Sequence, residues 1–128
     1  MGPVLLVDVI CDTSFLIQIT TKKIKNIHNL DTEIGPIKFV VPNLVITELN
    51  RLRNNVKKHS AAIRALNFTK TLDIINLKNH DHVDNVLFLN AKYNNRIIIA
   101  TLDTALKKRI KDIGGSIISL ANDRIIIE

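Results

Sequence analysis

IIIATLDTALKKRI, residues 97–110, opens with three isoleucines, passes through Ala-Thr-Leu-Asp, and ends in a helical pattern carrying Lys107, Lys108 and Arg109. The run Arg96 to Ala100 reads as a strand apolar on both faces. Thr104 to Ile113 reads as a helix, and Gly114-Gly115 as its stop. A strand buried on both sides belongs to a parallel sheet covered by helices. The rest of the chain repeats this alternation. Val4 to Cys11 reads as a strand ending at Asp12, followed by a helical pattern from Thr13 to about Asn29. Ile37 to Val41 is a second strand, stopped by Pro42. Leu44 to Arg53 is a helix with Val45, Leu49 and Leu52 on one face, and Ser60 to Leu72 another, using Ile63, Leu66 and Leu72, with Ser60 as its expected cap. Asp73 to Leu77 is a short strand, Asp84 to about Tyr93 a helix, and Ser116 to Leu120 a core strand. Arg124 to Ile127 is an edge or core strand. The expected architecture is a three-layer αβα domain with a central, mostly parallel twisted sheet and right-handed crossovers, spanning residues 1–128 as one domain.

Composition narrows the function. The chain is 46% hydrophobic, with no Trp and 4% aromatic residues, which leaves little for an aromatic base-stacking platform. One cysteine, Cys11, excludes an internal disulfide and fits a reducing, cytoplasmic setting. No apolar run approaches the ~20 residues needed to span a bilayer, and the first residues lack the basic stretch of a signal peptide. The formal net charge is +6, which favours an anionic partner. The charge is segregated: no acid falls between Glu48 and Asp73, where Arg51, Arg53, Lys57, Lys58, Arg64 and Lys70 lie, and a second cluster is Lys107, Lys108, Arg109 and Lys111.

In open parallel sheets, ligands bind beyond the carboxyl ends of the strands, where strand order reverses. Four acids belong to that edge: Asp12 and Asp103 just past strands, Glu48 beside the apolar stripe of a helix entered through Pro42, and Asp84 at the opening of a helix. Taken singly, Asp12, Asp84 and Asp103 are ordinary N-caps, and Glu48 is a solvated helix residue. Together they would repel one another and raise one another's proton affinity unless a hard cation held them, and all-oxygen ligation suits Mg²⁺ or Mn²⁺. Three other groups carry less. Asp8 lies before the strand's end, His80-Asp81-His82 lacks a third soft ligand and reads as a surface loop, and Cys11 reads as a buried inert thiol.

Asp12-Thr13-Ser14-Phe15, then Val41-Pro42 leading to Thr47-Glu48-Leu49, then Val83-Asp84, then Ala100-Thr101-Leu102-Asp103 with Leu106-Lys107-Lys108-Arg109, resemble a PIN-domain nuclease over nearly the whole chain. Ala100 to Ile110 and the tail Ser119-Leu120-Ala121-Asn122-Asp123-Arg124 are most similar to the ribosomal-RNA-processing group of the small-subunit processome and its archaeal relatives. The resemblance implies an acidic site of Asp12, Glu48, Asp84 and Asp103, one or two Mg²⁺ or Mn²⁺ ions, and cleavage of single-stranded RNA. It assigns Ser14 and Thr101 supporting roles. Asn85 departs from the pattern, since that group usually carries a second acid there, and this bears on a second metal. Lys57, Lys58, Arg64 and Lys107 are the expected RNA contacts, with a solvated charged face as the alternative for each. Expected partners are RNA, a second copy of the chain, and a ribosome-assembly factor or an antitoxin. Competing functions are a catalytically weak RNA-binding module on the same fold and a PIN toxin. A phosphotransfer receiver domain needs an Asp at the end of its middle strand, and the chain has none between Glu33 and Asp73.

Overall fold

The computed structural model describes residues 7–25, 35–78, 82–94 and 96–128. Along the described chain run β1 (Val7–Cys11), α1 (Thr13–Thr21), β2 (Ile37–Pro42), α2 (Asn43–Leu52), α3 (His59–Thr69), β3 (Asp73–Ile75), α4 (Val83–Tyr93), β4 (Ile98–Ala100), α5 (Thr104–Asp112), β5 (Ile117–Ala121) and β6 (Arg124–Ile127). The sheet order is β3-β2-β1-β4-β5-β6. Every pair is parallel except β5–β6, which is antiparallel and makes the isoleucine-rich tail an edge strand. The chain builds outward from β1 through β2 and β3, then returns to lay β4 on β1's other side. Strand order therefore reverses between β1 and β4.

The pleat explains how one strand feeds two cores. Val9 and Cys11 of β1 join α1, α2 and α3 in one cluster with Phe15, Leu16, Val45, Leu49 and Ala65. Ile10, one residue out of phase, joins Ile99 and Ile117 against Leu87 and Ala91 of α4 and Leu106 and Ile110 of α5. The sheet is thus covered on both faces, as expected.

Some local expectations change. α1 ends at Thr21 with Lys22 as its cap, well short of Asn29, and residues 26–29 lie outside the described set. Ser60 does not cap α3: the cap is Lys58, with no side-chain hydrogen bond. The buried face of α3 is Ala62, Ala65 and Thr69, while Ile63 and Leu66 are only half-buried. Small residues there let α3 pack closely, and a search for bulky residues at helical spacing passes over them. His82 is exposed and precedes α4, while His80 and Asp81 lie outside the described residues.

The stop of α5 follows from its two glycines. Gly114 takes φ +80°. Its amide donates to the Lys111 carbonyl and that of Gly115 to the Ile110 carbonyl, both at 2.9 Å, which is the paired Schellman pattern. A Cβ on Gly115 would stand 2.5 Å from Ile110 Cγ2, and Ile110 is wholly buried. Gly115→Ala is therefore expected to cost about 1–3 kcal/mol by overpacking, a fall of roughly 4–12 °C in Tm for a domain of this size. An unchanged melting curve would mean that Ile110 repacks freely.

Candidate active site

β1 and β4 end side by side, and their exits are joined by hydroxyl groups. The Asp12 amide donates to the Ala100 carbonyl at 2.9 Å, which extends the β1–β4 ladder one step beyond the strands. Asp12 caps α1, its Oδ1 accepting from the Thr13 amide at 2.8 Å. Its Oδ2 accepts from Thr101 Oγ1 at 2.8 Å and from Ser14 Oγ at 3.2 Å. Thr101 Oγ1 in turn accepts from the Asp103 amide at 3.1 Å, and Ser14 Oγ accepts from the Leu102 amide at 3.1 Å. The two supporting residues named from the sequence thus fasten the β4–α5 connection to the start of α1.

Asp12 is nearly buried, at 9% exposure. Burial pushes its carboxyl above the ordinary range. The hydrogen bonds from Thr101, Thr13 and Ser14 oppose that shift, and the nearby charge of Asp103 adds to it. Cys11, one residue earlier, is fully buried, and burial followed by the Asp12 charge drives its thiol far up. It is an inert core thiol, as its place in the strand suggested.

Each remaining acid is anchored by one oxygen. Glu48 Oε2 accepts from Thr13 Oγ1 at 3.1 Å. Asp103 Oδ1 caps α5, accepting from the Ala105 amide at 2.9 Å and the Leu106 amide at 3.1 Å. Asp84 Oδ1 accepts from the Asn85 amide at 3.0 Å. All four carboxylates line one cleft of about 840 Å³, together with Ser14, Asn85, Asn43, Thr47, Arg51, Lys58 and His82. Asp8 is exposed near the start of β1, four positions before Asp12, and is not among the cleft's lining residues.

The structure separates the cationic residues named from the sequence. Lys58 lines the cleft. Lys57 and Arg64 are exposed on and beyond the α2–α3 connection. Lys107 lies elsewhere, paired with Glu128 at 3.0 Å. Two further cations of the basic clusters, Arg51 and Arg109, lie at or near the cleft but are not among the four expected RNA contacts. Arg51 sits three residues after Glu48, and that helical spacing was the available signal. Arg109 donates from Nη1 to Asn85 Oδ1 at 2.7 Å and lies over the Phe88 ring, 4.2 Å from its centre. Nothing in the sequence marks that pair, because it joins α4 to α5.

An open mostly parallel sheet, a cleft at its switch point and acids just beyond the flanking strands make up the candidate site. A family model described as a PIN like domain matches residues 9–123, and the chain belongs to that family. Its structure is similar to that of the PIN domain endonuclease Utp24, with a TM-score of 0.77 and 26% identity over 94% of this chain and 90% of that one. It also shares its fold with PAE2754 from Pyrobaculum aerophilum, at a TM-score of 0.51 and 12% identity over 84% of this chain and 90% of the other. No curated protein matches the sequence.

Proposed function

We propose that this protein is an endoribonuclease that cuts single-stranded RNA using Mg²⁺ or Mn²⁺ held by Asp12, Glu48, Asp84 and Asp103. The observation that carries the reading is the convergence of those four carboxylates, from four separate parts of the chain, on one cleft above the β1/β4 switch point. Membership of the PIN-like family and likeness to an endonuclease support it. The sequence resemblance to the ribosomal-RNA-processing group supports RNA as substrate and a ribosome-assembly setting for its partners.

The donor set suits the metal. Among the described residues, no group of three or more His, Cys, Asp or Glu side chains is placed to hold one ion, so one or two of the four carboxylates would bind it directly and the others would act through bound water. Mg²⁺ suits such a site, since it keeps several waters and is commonly held by one or two carboxylates plus substrate phosphate. A carboxylate offers about four lone-pair positions. Asp12 commits three of them to Thr13, Ser14 and Thr101, and Asp103 commits Oδ1 to two amides. Each is thereby oriented and still has acceptor capacity. A bound divalent ion supplies a nucleophile at neutral pH and stabilises the leaving oxygen. The chain's own contribution is to hold the ligands rigid. Thr13 fixes Glu48, Thr101 couples Asp12 to Asp103, and Ser14 locks the loop between them.

Asn85 favours one further reading, a module that binds RNA but cuts it poorly. The position that usually brings a second acid is neutral here and hydrogen-bonded to the Arg109 guanidinium. One assay decides between the two. Purified protein with labelled single-stranded oligoribonucleotides is expected to give discrete fragments with Mn²⁺ or Mg²⁺, none with EDTA, and fragments again when metal is restored. Varied RNAs bound but left intact with either metal would establish the binding module instead.

A further inference from the structure

The two basic clusters nearest the cleft in sequence differ in their partners. Around α5, Lys107 and Lys111 share Glu128 at 3.0 and 3.1 Å, Lys108 reaches Asp112 at 3.2 Å, and Arg109 is occupied by Asn85 and Phe88. Lys25 pairs with Asp123 at 3.2 Å, and Lys38 pairs with Asp73. By contrast, Arg51, Arg53, Lys57 and Lys58 are all exposed, and none is in an ion pair with another described residue. Four such cations within eight residues repel one another. The nearest acids in sequence are Glu48 and Asp73. An anionic partner relieves that repulsion.

These cations stand on a fixed turn. Asn55 Oδ1 accepts from the Lys57 amide at 2.9 Å and the Lys58 amide at 3.2 Å. His59 Nδ1 lies 2.7 Å from the Arg53 carbonyl oxygen. The turn also continues the cleft. Asn43, Thr47, Glu48 and Arg51 line it from one side of α2, and Lys58 lines it from beyond the turn.

We infer that Arg51, Arg53, Lys57 and Lys58 form a one-sided phosphate track that leads a single-stranded RNA into the carboxylate cleft from the α2–α3 side, and that the α5 lysines take no part in binding. The inference rests on the proposed function for its substrate class, while its test is independent of catalysis. The sequence alone places cations on both sides of the site; the carboxylate partners around α5 partly neutralise one side.

The test uses the Asp12→Asn protein in EDTA and a fluorescently labelled single-stranded RNA of mixed sequence, with binding read by anisotropy between about 50 and about 200 mM KCl. On a single strand, each phosphate contact contributes roughly 0.7 to the slope of log affinity against log salt. The triple substitution Arg53→Gln, Lys57→Gln and Lys58→Gln is expected to lower the slope by about 2 and to weaken binding at the lower salt on the order of 100-fold. The triple Lys107→Gln, Lys108→Gln and Lys111→Gln is expected to leave both unchanged. Melting curves of both triples check that they fold. The inference is overturned if the α5 triple weakens binding as much as the track triple. It is also overturned if the track triple keeps its slope, which would give this surface to a protein partner or to solvent. RNA bound through the track by a wild-type protein that never cuts would leave the inference standing and remove the nuclease reading.

Discussion

Asp12→Asn is expected to abolish cleavage and, in metal-free protein at neutral pH, to raise Tm. The loss of activity follows from removing a charge that the proposed metal site requires. Several kcal/mol of transition-state stabilisation go with the metal, and about 4 kcal/mol is roughly a thousandfold in kcat/KM. The gain in stability follows from burial. Asp12 is nearly enclosed, and its proton affinity is raised in the fold. A carboxyl raised in this way favours folding when protonated and opposes it when ionised. Its penalty is absent below the unfolded group's titration, grows as pH rises through the window between the unfolded and folded values, and stays constant above it. The asparagine is neutral throughout and can still accept from the Thr13 amide. The variant's advantage is therefore largest at neutral pH, about 1 kcal/mol as for other relieved functional sites or roughly 4 °C, and it vanishes as pH falls into the ordinary carboxylate range. Thermal melts in EDTA from neutral to acid pH measure it. A lower Tm for the variant at neutral pH would show that the charge, through Ser14 and Thr101, binds the two loops more than burial penalises it.

Asp103 separates structure from chemistry in a different way. It is exposed, and its Oδ1 caps α5 through two amides. Asparagine caps a helix about as well as aspartate, whereas alanine costs typically about 1 kcal/mol. Asp103→Asn is expected to keep the wild-type Tm and lose activity by two or more orders of magnitude, on the order expected for removing a metal ligand. Asp103→Ala is expected to lose the same activity and also roughly 4 °C in Tm. Cleavage assays and melts on the pair measure both quantities. Wild-type turnover in the asparagine variant would reduce Asp103 to a helix cap.

The central strands were legible because the ends of β1 and β4 and the start of β5 are buried in the sheet between two helix layers. Val9, Ile10 and Cys11 all face core, so the run shows no alternation, and a continuous apolar run is the mark of a covered parallel strand. The convergence of the four candidate acids on one cleft was legible for the same reason. Asp12 and Asp103 follow strands whose direction the pattern fixes, and parallel neighbours bring their ends together. What stayed hidden depends on contacts between distant parts of the chain. The small-residue face of α3 is set by the helix it packs against. The sequence leaves Lys107 open between an RNA contact and a solvated charged face, because Glu128, twenty-one positions on, gives no sign of pairing with it. Arg109 and Asn85 meet only because α4 and α5 are neighbours. Hydrogen bonds of this range leave no periodicity to read.

The bond from Thr101 to Asp12 spans 89 positions, and that span has a consequence in time. Synthesis proceeds from the amino end, so Asp12, Glu48 and Asp84 are all made before β4 exists. Until Thr101 and Asp103 have left the ribosome and β4 has docked beside β1, the chain carries most of the parts of the proposed nuclease and no assembled centre. The proposed centre is therefore complete only when, among the described residues, the last parallel strand, β5, is nearly made. The order of the chain's strands places completion of the proposed centre late in synthesis.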